Sequence, residues 1–235
     1  MCIYYKKGDH TLDQSNKQDT KVVLVTGSAR RIGAAIVKTF HNAGYKVLIH
    51  CRHSTTEAEQ LVAALNNKTT NSAKMIQKDL SKTGACSQLV EATIAWAGRL
   101  DVLINNASIF LRTDLQNPDE SDWQSLFDIH VKAPFALSCA AKRYLLKEQG
   151  VIINITDIHA QKPLKGYAVY CQTKAALEMQ TKALAREWAP EIRVNAIAPG
   201  STLWPEASNN LSEEDKQKIM TNTLLNGHGN PEPTA

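Results

Sequence analysis

The sequence has few of the features that mark membrane, metal-binding or nucleic-acid-binding proteins. Its 235 residues contain no apolar run long enough to span a bilayer, and no signal-peptide pattern opens the chain. The five cysteines are scattered without a CxxC pair, so neither a zinc site nor a disulfide framework is indicated. The net charge of +4 is modest and the basic residues form no stripe, which argues against nucleic-acid binding. These absences favour a metal-free protein of the reducing cytoplasm.

The sequence does contain a regular alternation of short apolar runs and helical patterns. The predicted strands are 22–25, 45–49, 74–77, 101–104, 151–155 and 192–197. The predicted helices are 34–42, 56–66, a segment ending at Trp96, 121–147 with a kink at Pro134, 167–189 and 212–225. Strands that alternate with helices of this length predict right-handed βαβ units and a parallel sheet. We therefore expect one Rossmann-like α/β domain over 21–235, doubly wound with helices on both faces, preceded by a disordered extension at 1–20.

A glycine-containing turn follows the first predicted strand and precedes the first helix. Such a turn can place backbone amides and a helix N-terminus against a pyrophosphate, although a tight strand-to-helix turn without a ligand has the same pattern. The pair Arg30-Arg31 adds positive charge beside the expected phosphates, with Arg31 standing where a middle glycine is common. The predicted cofactor contacts of this turn are Gly27, Ser28, Arg30, Arg31, Ile32 and Gly33.

The end of the second strand distinguishes the two nicotinamide cofactors. An acidic residue there binds the ribose 2′-hydroxyl of NAD, whereas arginine accommodates the 2′-phosphate of NADP. This chain has Arg52, His53 and Ser54 at that point, with no carboxylate before Glu57. The pattern favours NADP(H), the alternative being that Arg52 is only a solvated surface residue.

Tyr170 and Lys174 are four residues apart in a segment rich in helix-forming residues, so they share one helix face. An ammonium group near a phenol favours the phenolate and would lower the pKa of Tyr170 toward neutrality, which suits acid–base catalysis. The same spacing also occurs by chance on many helices.

Taken together, these residues resemble the short-chain dehydrogenase/reductase family from about residue 21 to 200. The shared features, in the family's order, are Thr26-Gly27 to Gly33, Asp79, Asn105-Asn106-Ala107, Tyr170 to Lys174 and Pro199-Gly200. Within the family the chain looks most like pteridine reductases and the bacterial dihydromonapterin or dihydrofolate reductases. That narrower resemblance is carried by Arg31, by Ser108 and Phe110 after Asn106-Ala107, by Asp157 thirteen residues before Tyr170, and by the segment 166–170.

The resemblance implies a position for each part of the site. A pterin ring would lie between the nicotinamide and Phe110, and Tyr170 would contact it together with Asp157. Lys174 would bind the nicotinamide ribose and lower the pKa of Tyr170. The other implied contacts are Arg31 and Ser108 with the pterin or the cofactor phosphates, Asp79 and Leu80 with the adenine, Asn106 and Ala107 with the cofactor, and Pro199, Gly200 and Ser201 with the nicotinamide carboxamide.

Asp157 stands where most members of the family have a catalytic serine. A serine hydroxyl donates to the oxyanion that develops from a carbonyl. The C=N bond of a pterin instead needs a proton on nitrogen, and a carboxylate beside Tyr170 can orient the phenol or relay that proton. The alternative role of Asp157 is that of a turn cap.

The chain departs from the family pattern at two places. His130 occupies the position of an asparagine that anchors a water-mediated proton path, so it could hold a water or supply protons, or it could be a packed helix residue. Relatives continue past the segment equivalent to 229–232 into a helix and a seventh strand, for which this sequence has no residues.

The helices at 121–147 and 167–189 pack between subunits in the family, which implies a homo-oligomer, either a dimer or a tetramer.

The leading hypothesis is an NADPH-dependent reductase of a dihydropterin or dihydrofolate. A carbonyl or 3-oxoacyl reductase of the same family is the alternative, against which Phe110 and Asp157 argue. A third hypothesis is a cofactor-binding protein without turnover, against which the intact Tyr170 and Lys174 argue.

Overall fold

A six-stranded parallel sheet forms the centre of the part of the chain that the structure describes, residues 20–200 and 221 of a computed structural model. Its strands lie in the order β3-β2-β1-β4-β5-β6. The strands are β1 (Val22–Val25), β2 (Lys46–Cys51), β3 (Ala73–Gln77), β4 (Val102–Asn105), β5 (Val151–Ile155) and β6 (Arg193–Ile197). The α-helices are α1 (Arg31–Asn42), α2 (Thr55–Lys68), α3 (Ala85–Ala97), α4 (Glu120–Phe127), α5 (Ala133–Lys147) and α6 (Ala168–Trp188).

Strand β1 shows why the sheet is covered on both faces. All four of its residues are fully buried, and side chains alternate between the faces of a strand. Val22 and Leu24 pack into a core with α3, α5 and α6, whereas Val23 and Val25 pack into a second core with α1 and α2. A continuous apolar run is therefore the pattern that a doubly covered strand requires. The predicted doubly wound α/β fold is confirmed.

The strand order determines where a ligand can bind. The chain proceeds from β1 outward to β3 and then returns to β4 on the other side of β1. In a sheet of this kind a crevice opens at the reversal, beyond the carboxyl ends of β1 and β4. The turn after β1 and the segment after β4, which contain ten of the twenty-one predicted site residues, meet at this crevice.

The long helix predicted at 121–147 is interrupted. A π-helical turn (Asp128–Lys132) separates α4 from α5 directly before Pro134. Proline has no backbone N–H and its ring disturbs the preceding turn, so an irregular turn at this point agrees with the predicted kink. His130 lies in this turn, and its side chain is 1% exposed.

Smaller differences from prediction are confined to the ends of elements. The helix predicted to start at residue 34 begins at Arg31, and the strand predicted to end at residue 49 extends to Cys51. The predicted helix at 212–225 lies outside the described residues except at position 221, and so does the predicted extension except at Thr20. Within the described residues, no helix combines the length and apolarity needed to cross a membrane.

Candidate active site

The turn between β1 and α1 leaves no room for side chains at its glycines. Gly27 has φ +60°, and a Cβ there would lie 2.7 Å from Cα of Ala107. A Cβ on Gly33 would lie 2.5 Å from the carbonyl oxygen of Gly27. The backbone can therefore approach a ligand closely at the N-terminus of α1, which is the cradle that a pyrophosphate needs.

The segment after β4 braces this turn. The side-chain amide of Asn106 donates to the carbonyl oxygens of Thr26 (2.8 Å) and Gly27 (2.9 Å). The backbone amide of Ala107 donates to the Thr26 hydroxyl at 3.0 Å. These bonds hold the two sides of the crevice at a fixed separation.

Ser28 supports the turn from within. Its side chain is fully buried, and its hydroxyl donates to the Val25 carbonyl at 2.7 Å. Its backbone amide donates to the His50 carbonyl at 2.9 Å. Contrary to the expectation of a cofactor contact, both polar groups are engaged inside the protein.

The crevice is a cleft of about 420 Å³. Twelve of the residues predicted from sequence to contact cofactor or substrate line it, namely Gly27, Arg30, Arg31, Ile32, Gly33, Arg52, His53, Ser54, Leu80, Asn106, Ala107 and Ser108. Arg31 adopts φ 55°, so the backbone conformation usual for glycine is kept although a side chain is present. The sequence motifs of the two loops thus converge on one cavity.

Asp79 does not line this cleft but contacts a residue that does. Its carboxylate lies 3.2 Å from the Arg52 guanidinium. Burial opposes ionisation of Asp79, but hydrogen bonds from Ser81 and the charge of Arg52 outweigh it and hold the pKa of Asp79 below its ordinary value. The ion pair keeps Arg52, whose side chain is 53% exposed, at the cleft end of β2.

Tyr170 and Asp157 are in direct contact. The Tyr170 hydroxyl donates to Oδ2 of Asp157 at 2.6 Å, while Oδ1 accepts the amide of His159 at 2.8 Å and caps a 3₁₀ turn (Ile158–Ala160). Asp157 is therefore the turn cap considered for it, and the same carboxylate also orients the Tyr170 phenol.

Lys174 lies beneath the same tyrosine ring. Its ammonium is 5.7 Å from the ring centroid and donates to the Ile155 carbonyl at the end of β5, at 3.0 Å. Burial lowers the pKa of Lys174 to about 8, against the opposing charge of Asp157. The ammonium is held by the backbone rather than by the phenol.

The expected net decrease of the Tyr170 pKa toward neutrality is not what this structure shows, because the net shift is upward. Burial, and next the charge and hydrogen bond of Asp157, raise the pKa of Tyr170 far above its ordinary value. Both effects disfavour the phenolate because they remove water and place a negative charge beside the oxygen. Tyr170 is accordingly held as a protonated donor.

Phe110 lies against Tyr170. Its ring is edge-to-face with Tyr170, with centroids 4.8 Å apart, and stacked on Tyr167 at 4.2 Å. Phe110 follows Ser108 and Ile109, both of which line the cleft. Phe110, Asp157, Tyr170 and Lys174 do not themselves line the cleft, and Tyr170 is linked to it through His130, whose ring lies 5.4 Å from the tyrosine ring and 2.8 Å from the Ser108 hydroxyl.

His130 links the segment after β4 to α6. Its Nε2 lies 2.8 Å from the Ser108 hydroxyl and accepts the amide of Ile109 at 3.2 Å, while Nδ1 lies 2.9 Å from the Thr173 hydroxyl. A peptide N–H only donates, so Nε2 carries no proton and Nδ1 does. Burial and the charge of Lys174 hold the pKa of His130 well below its ordinary value. Of the roles considered for His130, the structure favours the packed helix residue over the proton source, and it does not test whether the side chain holds a water.

The remaining predicted residues lie near the end of the described chain. The Pro199 carbonyl accepts the amide of Ile158 at 3.4 Å, which places it beside the turn capped by Asp157. Gly200 is exposed, and Ser201 lies outside the described residues.

Sequence reasoning missed six residues that line the cleft, namely Ala29, His50, Cys51, Lys78, Ile109 and Ile129, and among them His50 is a buried polar residue. It is the penultimate residue of β2, it lines the cavity, and its side chain is 2% exposed. A histidine within an otherwise apolar strand was the signal that could have identified it.

Comparisons with known proteins agree with this geometry. The sequence model described as short chain dehydrogenase matches residues 21–216. Pteridine reductase 1 of Leishmania tarentolae is 34% identical, covering 84% of this chain and 82% of the relative. A 3-oxoacyl-[acyl-carrier-protein] reductase of Synechocystis is 33% identical, covering 92% and 86%.

A solved structure extends the likeness to three dimensions. FolM alternative dihydrofolate reductase 1 from Brucella suis, crystallised in complex with NADP, superimposes with a TM-score of 0.83 at 34% identity, covering 91% of this chain and 84% of that one. The fold, the order of the sequence motifs and the range matched by the family model all agree with membership of one family. The chain belongs to the short-chain dehydrogenases, a family of oxidoreductases that bind a nicotinamide cofactor.

Proposed function

We propose that the protein is an NADPH-dependent reductase of a dihydropterin or dihydrofolate-type pteridine. The observation that carries the proposal is the 2.6 Å hydrogen bond from Tyr170 to Asp157, with the Phe110 ring 4.8 Å from the tyrosine ring. A carboxylate and an aromatic face at one proton donor suit a flat heterocycle that takes its proton on nitrogen. Likeness to pteridine reductase 1 and to alternative dihydrofolate reductase supports it.

The cofactor we assign to the cleft is NADPH. The glycine cradle at Gly27 and Gly33 fits a pyrophosphate, and Arg52 lies at the end of β2 where a 2′-phosphate is recognised. Its guanidinium is already oriented by Asp79, and an exposed ion pair of this kind costs little to rearrange. When bound, NADPH supplies the hydride for the reduction.

The protein's own contribution is a positioned proton. Tyr170 is protonated at neutral pH, as an ordinary phenol is, and burial and Asp157 extend that protonated state to higher pH. Asp157 holds the phenol in one orientation and, being only partly buried, connects it to solvent for reprotonation. Lys174, anchored on Ile155, places a positive charge beneath the ring that offsets negative charge developing on the phenol as the proton leaves.

A carbonyl or 3-oxoacyl reductase is the second candidate, because a 3-oxoacyl reductase is nearly as similar in sequence as the pteridine reductase. The two candidates make opposite predictions for Asp157→Ser, which restores the residue usual for carbonyl reduction. A pteridine reductase would lose activity with this change, whereas a carbonyl reductase would keep or gain it.

The deciding experiment follows NADPH oxidation by the wild-type protein with dihydrobiopterin and dihydrofolate, and with a panel of ketones and 3-oxoacyl thioesters. We expect turnover with the pteridines, and its loss in Asp157→Ser. Turnover confined to the ketones or 3-oxoacyl compounds, with Asp157→Ser unimpaired, would exclude the pteridine assignment.

We also propose that the protein is a homo-oligomer through α4, α5 and α6. Large apolar side chains are exposed on these helices, namely Trp123 (42%), Phe135 (50%) and Met179 (62%). Exposed apolar groups of this size are commonly covered by a partner. Light scattering should give at least a dimer, and Phe135→Glu should shift it toward monomer; a wild-type monomer at micromolar concentration would refute the proposal.

A further inference from the structure

His50 makes two ring hydrogen bonds of opposite sense. The backbone amide of Gly27 donates to its Nδ1 at 3.1 Å, and its Nε2 lies 2.9 Å from the carbonyl oxygen of Lys78. A peptide N–H only donates and a carbonyl only accepts. The ring is therefore fixed as the neutral tautomer with its proton on Nε2.

The backbone of His50 also contacts the phosphate-binding turn. Its carbonyl accepts the amide of Ser28 at 2.9 Å, and its amide donates to the Ser28 hydroxyl at 3.2 Å. On the opposite side Gly27 abuts Ala107, where even a Cβ would be too close. The Gly27 peptide is thus held between β2 and the segment after β4.

The side chain further joins this turn to the segment after β3. Lys78 lines the same cleft, and its neighbour Asp79 pairs with Arg52. One buried imidazole therefore connects the pyrophosphate end of the cleft with the end that faces the cofactor's 2′-position.

We propose that His50 is a positioning residue for cofactor binding, which acts by holding the Gly27 peptide in the orientation that the phosphate-binding turn requires. It does so only as the neutral Nε2–H imidazole, because any proton on Nδ1 would oppose the Gly27 N–H. The inference rests on the proposed cofactor site and is independent of which substrate is reduced.

Two substitutions separate the two contacts of the ring. The amide of Asn lies near the position of Nδ1 and that of Gln near Nε2, so His50→Asn can still accept from Gly27 and His50→Gln can still donate to Lys78. Each variant loses one buried hydrogen bond, so both should show a similar decrease in melting temperature. Only loss of the Gly27 contact should affect the cofactor.

The test measures NADPH dissociation constants by calorimetry on the full chain, without substrate. We expect His50→Asn to bind within about threefold of wild type and His50→Gln to bind at least about tenfold more weakly. Equal weakening in both variants, or wild-type affinity in His50→Gln, would overturn the proposal. Failure of the pteridine assignment would instead appear in the substrate panel with NADPH affinity intact.

The wild-type protein provides a second test that needs no variant. Nitrogen NMR of the His50 ring should show the Nε2–H tautomer, and the Gly27 amide should exchange slowly with solvent. An Nδ1–H tautomer or rapid exchange at Gly27 would contradict the contact on which the proposal depends.

Discussion

The contact between Asp157 and Tyr170 gives the sharpest prediction. Asp157→Asn keeps the size of the side chain and an oxygen that can still accept the His159 amide, so the 3₁₀ turn should persist. That single oxygen is then used, so an NH2 group replaces the Oδ2 to which the Tyr170 hydroxyl donates at 2.6 Å in the wild type, and the negative charge and the acceptor are lost together. A hydrogen bond to a charged group contributes about 1.5–3 kcal/mol, so kcat/KM for a dihydropterin should fall roughly ten- to hundredfold.

The pH profile should change in a defined direction. Burial lowers the pKa of Lys174 to about 8 while the charge of Asp157 opposes this decrease. Removing that charge should move the pKa of Lys174 lower still, so any alkaline limb caused by loss of the ammonium should shift to lower pH in Asp157→Asn. The pKa of Tyr170 should fall in the same variant, because Asp157 raises it.

Asp119 provides a matched control. It caps α4 through the amide of Ser121 at 2.8 Å, the same distance as from Asp157 to His159, but it does not contact Tyr170. Steady-state kinetics of Asp119→Asn should remain within about twofold of wild type. The reasoning fails if Asp157→Asn retains full kcat/KM, or if Asp119→Asn loses as much.

Three further predictions concern the proton donor, the cofactor and stability. Tyr170→Phe should abolish turnover but leave the NADPH dissociation constant within about threefold of wild type; comparable loss of both would make the tyrosine structural. Arg52→Gln should weaken NADPH binding about tenfold or more and leave NADH binding nearly unchanged, and parallel losses would contradict recognition of a 2′-phosphate. Burial lowers the pKa of His50 from 6.5 to about 4, so the folded state excludes a proton that the unfolded state binds, and stability should fall by about 3 kcal/mol as pH decreases between those values. Urea unfolding of wild type and His50→Asn across this range should show a smaller decrease in the variant.

Much of the architecture follows from local patterns. The run Val22 to Val25 is apolar at every position because helices cover both faces of β1, and the glycine turn and the Asn106-Ala107 segment follow their strands directly. Each of these signals lies within a few residues of the element it predicts. Local sequence patterns are therefore enough to locate the cleft.

The contacts that sequence did not predict are those between distant segments. The Gly27–His50 hydrogen bond joins residues 23 apart, and the contact of His130 with Thr173 joins residues 43 apart. The direction of the Tyr170 pKa was mispredicted because helix spacing places Lys174 nearby but says nothing of burial or of how Asp157 is oriented. The loss of water around a side chain depends on the whole fold, so a short sequence motif cannot predict its effect on a pKa.

Few groups near Tyr170 can gain or lose a proton, and this limits which residue can return the proton that Tyr170 donates. His130 accepts from Ile109 through Nε2 and faces Thr173 through Nδ1, so taking up a second proton would break the first contact in a buried site next to Lys174. His130, at the position where the family has asparagine, therefore stays neutral and serves as a hydrogen-bonding group that does not change its protonation state. A proton consumed at Tyr170 must then be replaced through a neighbour that contacts both the phenol and solvent. Asp157 meets both conditions, since its Oδ2 accepts from Tyr170 and its side chain is only partly buried. We therefore propose that Asp157, which stands at the position of the family's serine, serves reprotonation as well as orientation of the phenol.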